Sequence, residues 1–335
     1  MKTIVCDRPG ALVLRQRPVP QRGADEVLLR VRRVGVCGTD LHIYAGRQPY
    51  LSYPRVMGHE FSGEVIEAPE GSALRAGDAV YVRPYLSCGS CLACRRDKPN
   101  CCTALKVLGV HVDGALAEQV AVPQAFVHRA DGIGLDEAAM IEFLAIGAHA
   151  VRRARLEPGR HALVVGAGPI GLAAAIFARL DGAEVTVLDL REDRLAFCRE
   201  QLGLHTVRLG DEDLAALSAR TGGEFFETVF DATGNPGAME RGFELVAHGG
   251  SYVLISVVAS DIRFSDPEFH KREMTLLASR NAAPQDFERV LREMRAGRVP
   301  TALLATHRLA FDELPERFAE LADPAAGAIK ALVEL

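Results

Sequence analysis

The chain is 335 residues long, beyond the comfortable size of one hydrophobic core, so two domains are expected. Hydrophobic residues make up 48% and charged residues 25%, as in ordinary globular enzymes, and a net charge of −5 argues against a nucleic-acid or anionic-membrane surface. The opening MKTIVCDRPGALVLRQRP has no uninterrupted apolar signal core and no long uncharged span follows it, which points to a cytoplasmic protein with no membrane partner.

Up to about residue 145 the apolar runs are short, rich in Val and separated by turn residues, as in EVLLRVRRVGV, DAVYVRP and LAEQVAVP. Val27, Leu29 and Val31 alternate with polar positions, which is the period of a strand. This half reads as an irregular β-rich domain. From HALVVGAG onward a buried strand is followed by the helix PIGLAAAIFARLDG and a second buried strand, AEVTVLD. Further strands are predicted in ETVFDATG, GSYVLISV and EMTLLAS, with a helix over AMERGFELVAHG. Such alternation needs crossover connections, hence an α/β doubly wound parallel sheet covered on both faces. PQDFERVLREMRAGRVP then reads as an amphipathic helix, and the closing GAIKALVEL as a strand with no partner nearby. The tail is therefore expected to return to the first half, giving a discontinuous domain of residues 1–145 and 286–335 around a second of 146–285.

Eight cysteines without a secretion signal favour metal binding or catalysis over disulfides. Cys6 and Cys198 read as small core residues. Cys88, Cys91, Cys94 and Cys102 follow C-x-x-C-x-x-C with a fourth cysteine eight positions on, a spacing that wraps four thiolates around one structural zinc. Cys101 is the other candidate for the fourth place. A second constellation, Cys37 in GVCGTDLHIY with His59 and Glu60 in RVMGHEFSGEV, mixes soft, borderline and hard ligands, as a zinc with an open position requires.

Gly166, Gly168 and Gly171 form G-x-G-x-x-G between a strand and a helix, with Pro169 and Ile170 inside the turn. The glycines allow a tight turn, close approach of a pyrophosphate and close packing of helix on strand. The phosphates would meet the helix N-terminus, where Pro169 gives up a donor the helix does not use. Asp189 ends the next strand at the separation where an acid binds the adenosine ribose and repels a 2′-phosphate, which favours NAD over NADP. Arg191 and Arg194 nearby are either solvated or able to hold such a phosphate.

With these residues in place the chain resembles the zinc-dependent medium-chain alcohol and polyol dehydrogenases over essentially its whole length. The likeness is carried by VCGTDLH, GHEFSGEV, the cysteine lobe, GVHVDGALAEQVAVP, IEFLAIGAHA and VVGAGPIGL. It implies a GroES-like catalytic domain enclosing a Rossmann domain, an active site in the cleft between them, two zinc ions per chain, NAD, a small-molecule substrate and a homodimer or homotetramer. It implies that Cys37, His59, Glu60 and Glu142 surround the catalytic zinc, that Asp40 orients the zinc histidine, and that Thr39 and His42 relay the proton. Phe143 departs from the proline this family commonly places after the acid, leaving that backbone less constrained.

Within the family, SDPEFHKREMTLLASRNAAPQDF looks most like the sugar-acid branch of the bacterial L-galactonate 5-dehydrogenases. His270, Lys271, Arg272 and Arg280 are candidates for a substrate-carboxylate cradle, and Arg280 and Asn281 for contact with nicotinamide or substrate. The competing expectations are an L-threonine 3-dehydrogenase-like or sorbitol-type activity and, from another class, a non-enzymatic NAD(H) sensor.

Overall fold

The computed structural model describes residues 1–48 and 51–335. Its internal contacts divide the chain into Met1–Glu142 with Val290–Leu335, and Phe143–Arg289. Both divisions fall inside helices, Ile141–Ala154 and Pro284–Arg295, so neither carries the Gly- or Pro-rich linker that would mark it in the sequence.

The first unit is built on a mixed sheet whose long central strand is Glu26–Val36. Val27, Leu29 and Val31 are buried while Arg30 is exposed, as the alternation requires. Glu60–Glu67 pairs with that strand antiparallel, placing Gly35 opposite Glu60. Lys330–Glu334 pairs along its other edge, opposite 33–36. The closing strand also has a near partner, because Ala305–Ala310 runs parallel to it. The sequence hid that strand, since ATHRLA alternates mostly exposed residues and buries little beyond Leu309.

The second unit is a six-stranded parallel sheet in the spatial order His205–Arg208, Glu184–Asp189, His161–Val165, Phe226–Asp231, Val246–Leu254, Thr275–Ala278. The order reverses between His161–Val165 and Phe226–Asp231, the topological switch point where dinucleotides bind such sheets. Helix Pro169–Leu180 starts there with Gly168 as N-cap and Pro169 at its first position. A side chain on Gly171 would run into the Gly166 carbonyl oxygen, so only glycine lets this helix sit down on the turn. The helix predicted over AMERGFELVAHG spans only Pro236–Gly242, and Val246 already belongs to the next strand. Tertiary pairing thus overrides the local helical pattern.

One polar clamp ties the two boundary helices together within this unit. Asp286, fully buried, accepts hydrogen bonds from His149 Nδ1 at 2.7 Å, Arg152 Nε at 2.6 Å and the Ala283 N–H at 2.9 Å. Burial opposes its charge, but His149 and Arg152 outweigh burial and hold the carboxyl below its usual range. A depressed carboxyl pKa contributes stability above the unfolded value near pH 4, and that stability disappears as pH falls through the folded value. Asp286→Asn should therefore lower the unfolding free energy at neutral pH by about 1–3 kcal/mol. Chemical denaturation at a series of pH values should show the deficit shrinking below about pH 4.

Candidate active site and metal centres

The residues around Cys37 are assembled by three elements of the first unit. Helix Gly38–Tyr44 begins at Cys37, and Asp40 in its first turn accepts hydrogen bonds from the Cys37 N–H at 2.9 Å and the Gly58 N–H at 3.3 Å. That buried carboxylate pins the Cys37 turn to the loop that delivers His59. Asp40 Oδ1 lies 3.8 Å from His59 Nδ1, an ion-pair separation and too long for a hydrogen bond. Asp40 therefore acts on His59 by charge, and by hydrogen bonding only on the backbone. Thr39 and His42, three residues apart on one face of the helix, are half-buried and exposed respectively. Partial burial and the charge of Arg47 push the His42 pKa down.

Ligand atoms of Cys37, His59 and Glu60 all lie within 4.8 Å of one another. Glu60 is fully buried, and both its oxygens accept from Lys330 Nζ, at 2.8 and 2.6 Å. Room for this pair exists because residue 35 is glycine, where a side chain would overlap Glu60 Oε2. The ammonium of Lys330 also donates to the Val36 carbonyl at 3.2 Å. Burial works against its charge, yet Glu60 and Cys37 raise its pKa.

Glu142 is not one of those three, but its carboxyl interacts by charge with His59 and Glu60. It is buried in the first turn of helix Ile141–Ala154, and the Tyr85 hydroxyl donates a hydrogen bond to its Oε1. Burial pushes its pKa up to about 7; Glu60 adds to the rise, while His59, Tyr85 and Lys330 oppose it. Burial likewise opposes a charge on His59, but Asp40, Cys37 and Glu142 prevail and raise its pKa well above the ordinary value. These shifts describe a pocket with surplus negative charge, and His59 Nδ1 and Glu142 Oε2 are buried there without a hydrogen-bond partner. One thiol, one imidazole and carboxylate oxygens around surplus negative charge fit zinc.

Cys88, Cys91, Cys94 and Cys102 form the second group, their sulfurs also within 4.8 Å of one another. Backbone N–H groups point at the sulfurs: Cys91 N lies 3.4 Å from Cys88 Sγ and Cys88 N 3.3 Å from Cys102 Sγ. Backbone hydrogen bonds involving Cys94 and Thr103 hold the Cys91 thiol down at about 5, and those of Ser90 and Cys91 hold Cys88 at about 7. Burial pushes Cys94 up to about 12. Four sulfurs this close, two of them stabilised as thiolates by backbone N–H groups, fit a four-sulfur zinc with no open position. Cys102 is buried within the group, whereas Cys101 is exposed and outside it.

In the second unit, Asp189 accepts from the Ala167 N–H at 2.6 Å and the Arg191 N–H at 2.8 Å, which sets the acid beside the glycine turn. The Arg191 guanidinium is engaged by Asp193, with Nε at 3.0 Å. Arg194 is buried. Arg280 and Asn281 follow strand Thr275–Ala278 at the carboxyl edge of the sheet, where Asn281 has φ +52° and its Nδ2 is buried without a hydrogen-bond partner. His270, Lys271 and Arg272 precede that strand, at the opposite edge, and Arg272 donates to the carbonyls of Glu244 and Val246. The expected four-residue carboxylate cradle is thus not assembled: three of its members lie at the amino edge, away from the ligand side of a doubly wound sheet.

Two family models match the chain, the alcohol dehydrogenase GroES-like domain over residues 23–132 and the zinc-binding dehydrogenase domain over residues 169–296. The chain is 45% identical over 320 residues to the L-galactonate-5-dehydrogenase of Escherichia coli K12, covering 95% of this chain and 94% of that protein. The chain belongs to the zinc-binding alcohol dehydrogenase family. It is 34% identical over 334 residues to the D-altritol 5-dehydrogenase of Agrobacterium fabrum C58, covering 97% of each. Its structure matches an alcohol dehydrogenase from Escherichia coli CFT073 solved with NADH at a TM-score of 0.94 and 30% identity, covering 100% of this chain and 99% of that one.

As a zinc-binding alcohol dehydrogenase the protein is an oxidoreductase acting on CH–OH groups with a nicotinamide cofactor, and the two-domain GroES-like and Rossmann architecture is present. Among the described residues no helix is long and apolar enough to cross a membrane. Two parts of this dehydrogenase's site escape sequence reading. Lys330 lies 270 positions from Glu60, and Tyr85 lies 57 from Glu142. The only signals were a lysine within an apolar closing strand and a tyrosine just ahead of the cysteine loop, neither of which names a partner. Cys91→Ser should remove about one zinc equivalent by metal analysis and lower the melting temperature, since a closed site adds its binding free energy to folding.

Proposed function

We propose that this dehydrogenase transfers a hydride between NAD and a secondary alcohol of a sugar acid or polyol, with L-galactonate-like aldonates as the first substrate class. The observation that carries the substrate class is the 45% identity to L-galactonate-5-dehydrogenase over nearly the whole of both chains. The D-altritol dehydrogenase supports the same chemistry, oxidation of one secondary hydroxyl on a linear polyhydroxy chain. NAD is preferred over NADP because the anionic side chain at Asp189 faces the glycine turn and Arg191 is occupied by Asp193.

In this reading Cys37, His59 and Glu142 hold the catalytic zinc with Glu60 beside it, and Cys88, Cys91, Cys94 and Cys102 hold the structural one. When bound, the catalytic ion supplies Lewis acidity that lowers the pKa of an alcohol hydroxyl. Asp40 keeps Cys37 and the His59 loop in register and favours the imidazole orientation by its charge. Thr39 receives the hydroxyl proton on its Oγ, and His42, largely neutral because its pKa is depressed, takes the proton on and delivers it to solvent. Gly166, Gly168, Pro169, Ile170 and Gly171 seat the cofactor phosphates at a helix N-terminus, and Arg194 lines the adenosine end. Arg280 and Asn281, at the carboxyl edge of the sheet, stand where nicotinamide or substrate is met. A four-thiolate loop persists in a reducing compartment, so we place the enzyme in the cytoplasm. It is expected to be a homodimer or homotetramer, for which Leu276, exposed on the edge strand Thr275–Ala278, offers apolar surface.

NADH formation by zinc-replete protein with aldonates, polyols and L-threonine, in parallel with NADP, is the direct test. The expected result is preference for an aldonate with NAD; threonine turnover would move the enzyme to another substrate class, and NADH binding without turnover would indicate a sensor. Cys37→Ser should lower turnover by about 10³-fold or more while leaving NADH binding intact. Thr39→Val should lower kcat by about 10²-fold or more with its zinc content unchanged.

A further inference from the structure

We propose that Tyr85 is a positioning residue for the catalytic metal, fixing Glu142 so that its second oxygen is the carboxylate ligand. This rests on the zinc reading above and deepens it. The two acids of the site are in opposite states. Both oxygens of Glu60 accept from the buried ammonium of Lys330, a cation already paired with that acid. Glu142 has one oxygen, Oε1, engaged by the Tyr85 hydroxyl, while Oε2 is buried with no hydrogen-bond partner in a side chain only 4% exposed. A buried carboxyl oxygen without a hydrogen-bond partner is retained where a cation meets it. Glu142 is the acid with an oxygen that meets no cation or donor, and Tyr85 is the group that determines which oxygen that is.

The phenol is itself well anchored. Tyr85 is 7% exposed and lies on a short strand, Tyr85–Leu86, paired antiparallel with Lys106–Val107. The loop joining these two strands is the one carrying Cys88, Cys91, Cys94 and Cys102. The hydroxyl that orients Glu142 therefore stands three residues from the first thiolate of the structural group, and closure of that group holds the strand pair in place.

The test uses the full-length protein with cobalt in place of zinc at the catalytic site, whose visible spectrum reports coordination. Tyr85→Phe keeps the ring and removes the donor. It should shift the cobalt bands and weaken retention of that metal against a chelator by about 10- to 100-fold, with the four-thiolate metal retained. Glu142→Gln should weaken retention at least as much, and the double variant should be no worse than Glu142→Gln alone, because the proposed role of Tyr85 runs through that carboxylate. Tyr85→His, which keeps a ring and a donor, should retain metal better than Tyr85→Phe. A Tyr85→Phe protein with the wild-type cobalt spectrum and metal retention, additive losses in the double variant, or a Tyr85→His protein weaker than Tyr85→Phe would overturn the proposal. If wild-type protein takes up metal only at the four cysteines, the catalytic-zinc reading itself fails, which is a separable result.

Discussion

Negative charge buried in one place governs the architecture of the first unit. Asp40, Glu60 and Glu142 are each almost fully buried beside Cys37 and His59, a concentration that no apolar core tolerates uncompensated. The compensation is distributed. Backbone N–H groups of Cys37 and Gly58 serve Asp40, the ammonium of Lys330 serves Glu60, and a phenol serves Glu142. What remains is Glu142 Oε2, a buried carboxyl oxygen with no hydrogen-bond partner, beside the thiol of Cys37 and the imidazole of His59.

This arrangement explains features of the fold that packing alone would not require. The closing strand carries Lys330 back beside the central strand, so the charge neutralising Glu60 arrives from the far end of the sequence. Gly35 leaves the space in which that pair forms. The cysteine loop has a parallel logic at the surface, where backbone N–H groups are aimed at the sulfurs of Cys88 and Cys102. One of the loop's two flanking strands also carries Tyr85.

The second unit obeys a different constraint, the geometry of a parallel sheet. Asp189, the glycine turn and the segment from Ser279 to Asn281 come together on the carboxyl edge because every strand points that way. The same rule removes His270, Lys271 and Arg272 from consideration as a carboxylate cradle. Their charge was visible in the sequence, but the end of the strand on which charge falls depends on strand boundaries, and these lie just after Arg272.

The sequence by itself determined the groupings that depend on spacing. Four cysteines at short intervals, G-x-G-x-x-G between a strand and a helix with an acid at the next strand end, and Cys37 with His59–Glu60 were legible because their meaning lies in local geometry. The alternating β and α grammar was legible for the same reason, apart from the polar strand Ala305–Ala310 and the overextended helix before Val246. The tertiary structure alone decided which acid is neutralised, which is held by a phenol, what Asp40 actually bonds, and which arginines face the ligand edge. Those outcomes depend on residues tens to hundreds of positions apart meeting in a low-dielectric interior, where the partner fixes the state of a charge and no local pattern encodes the partner.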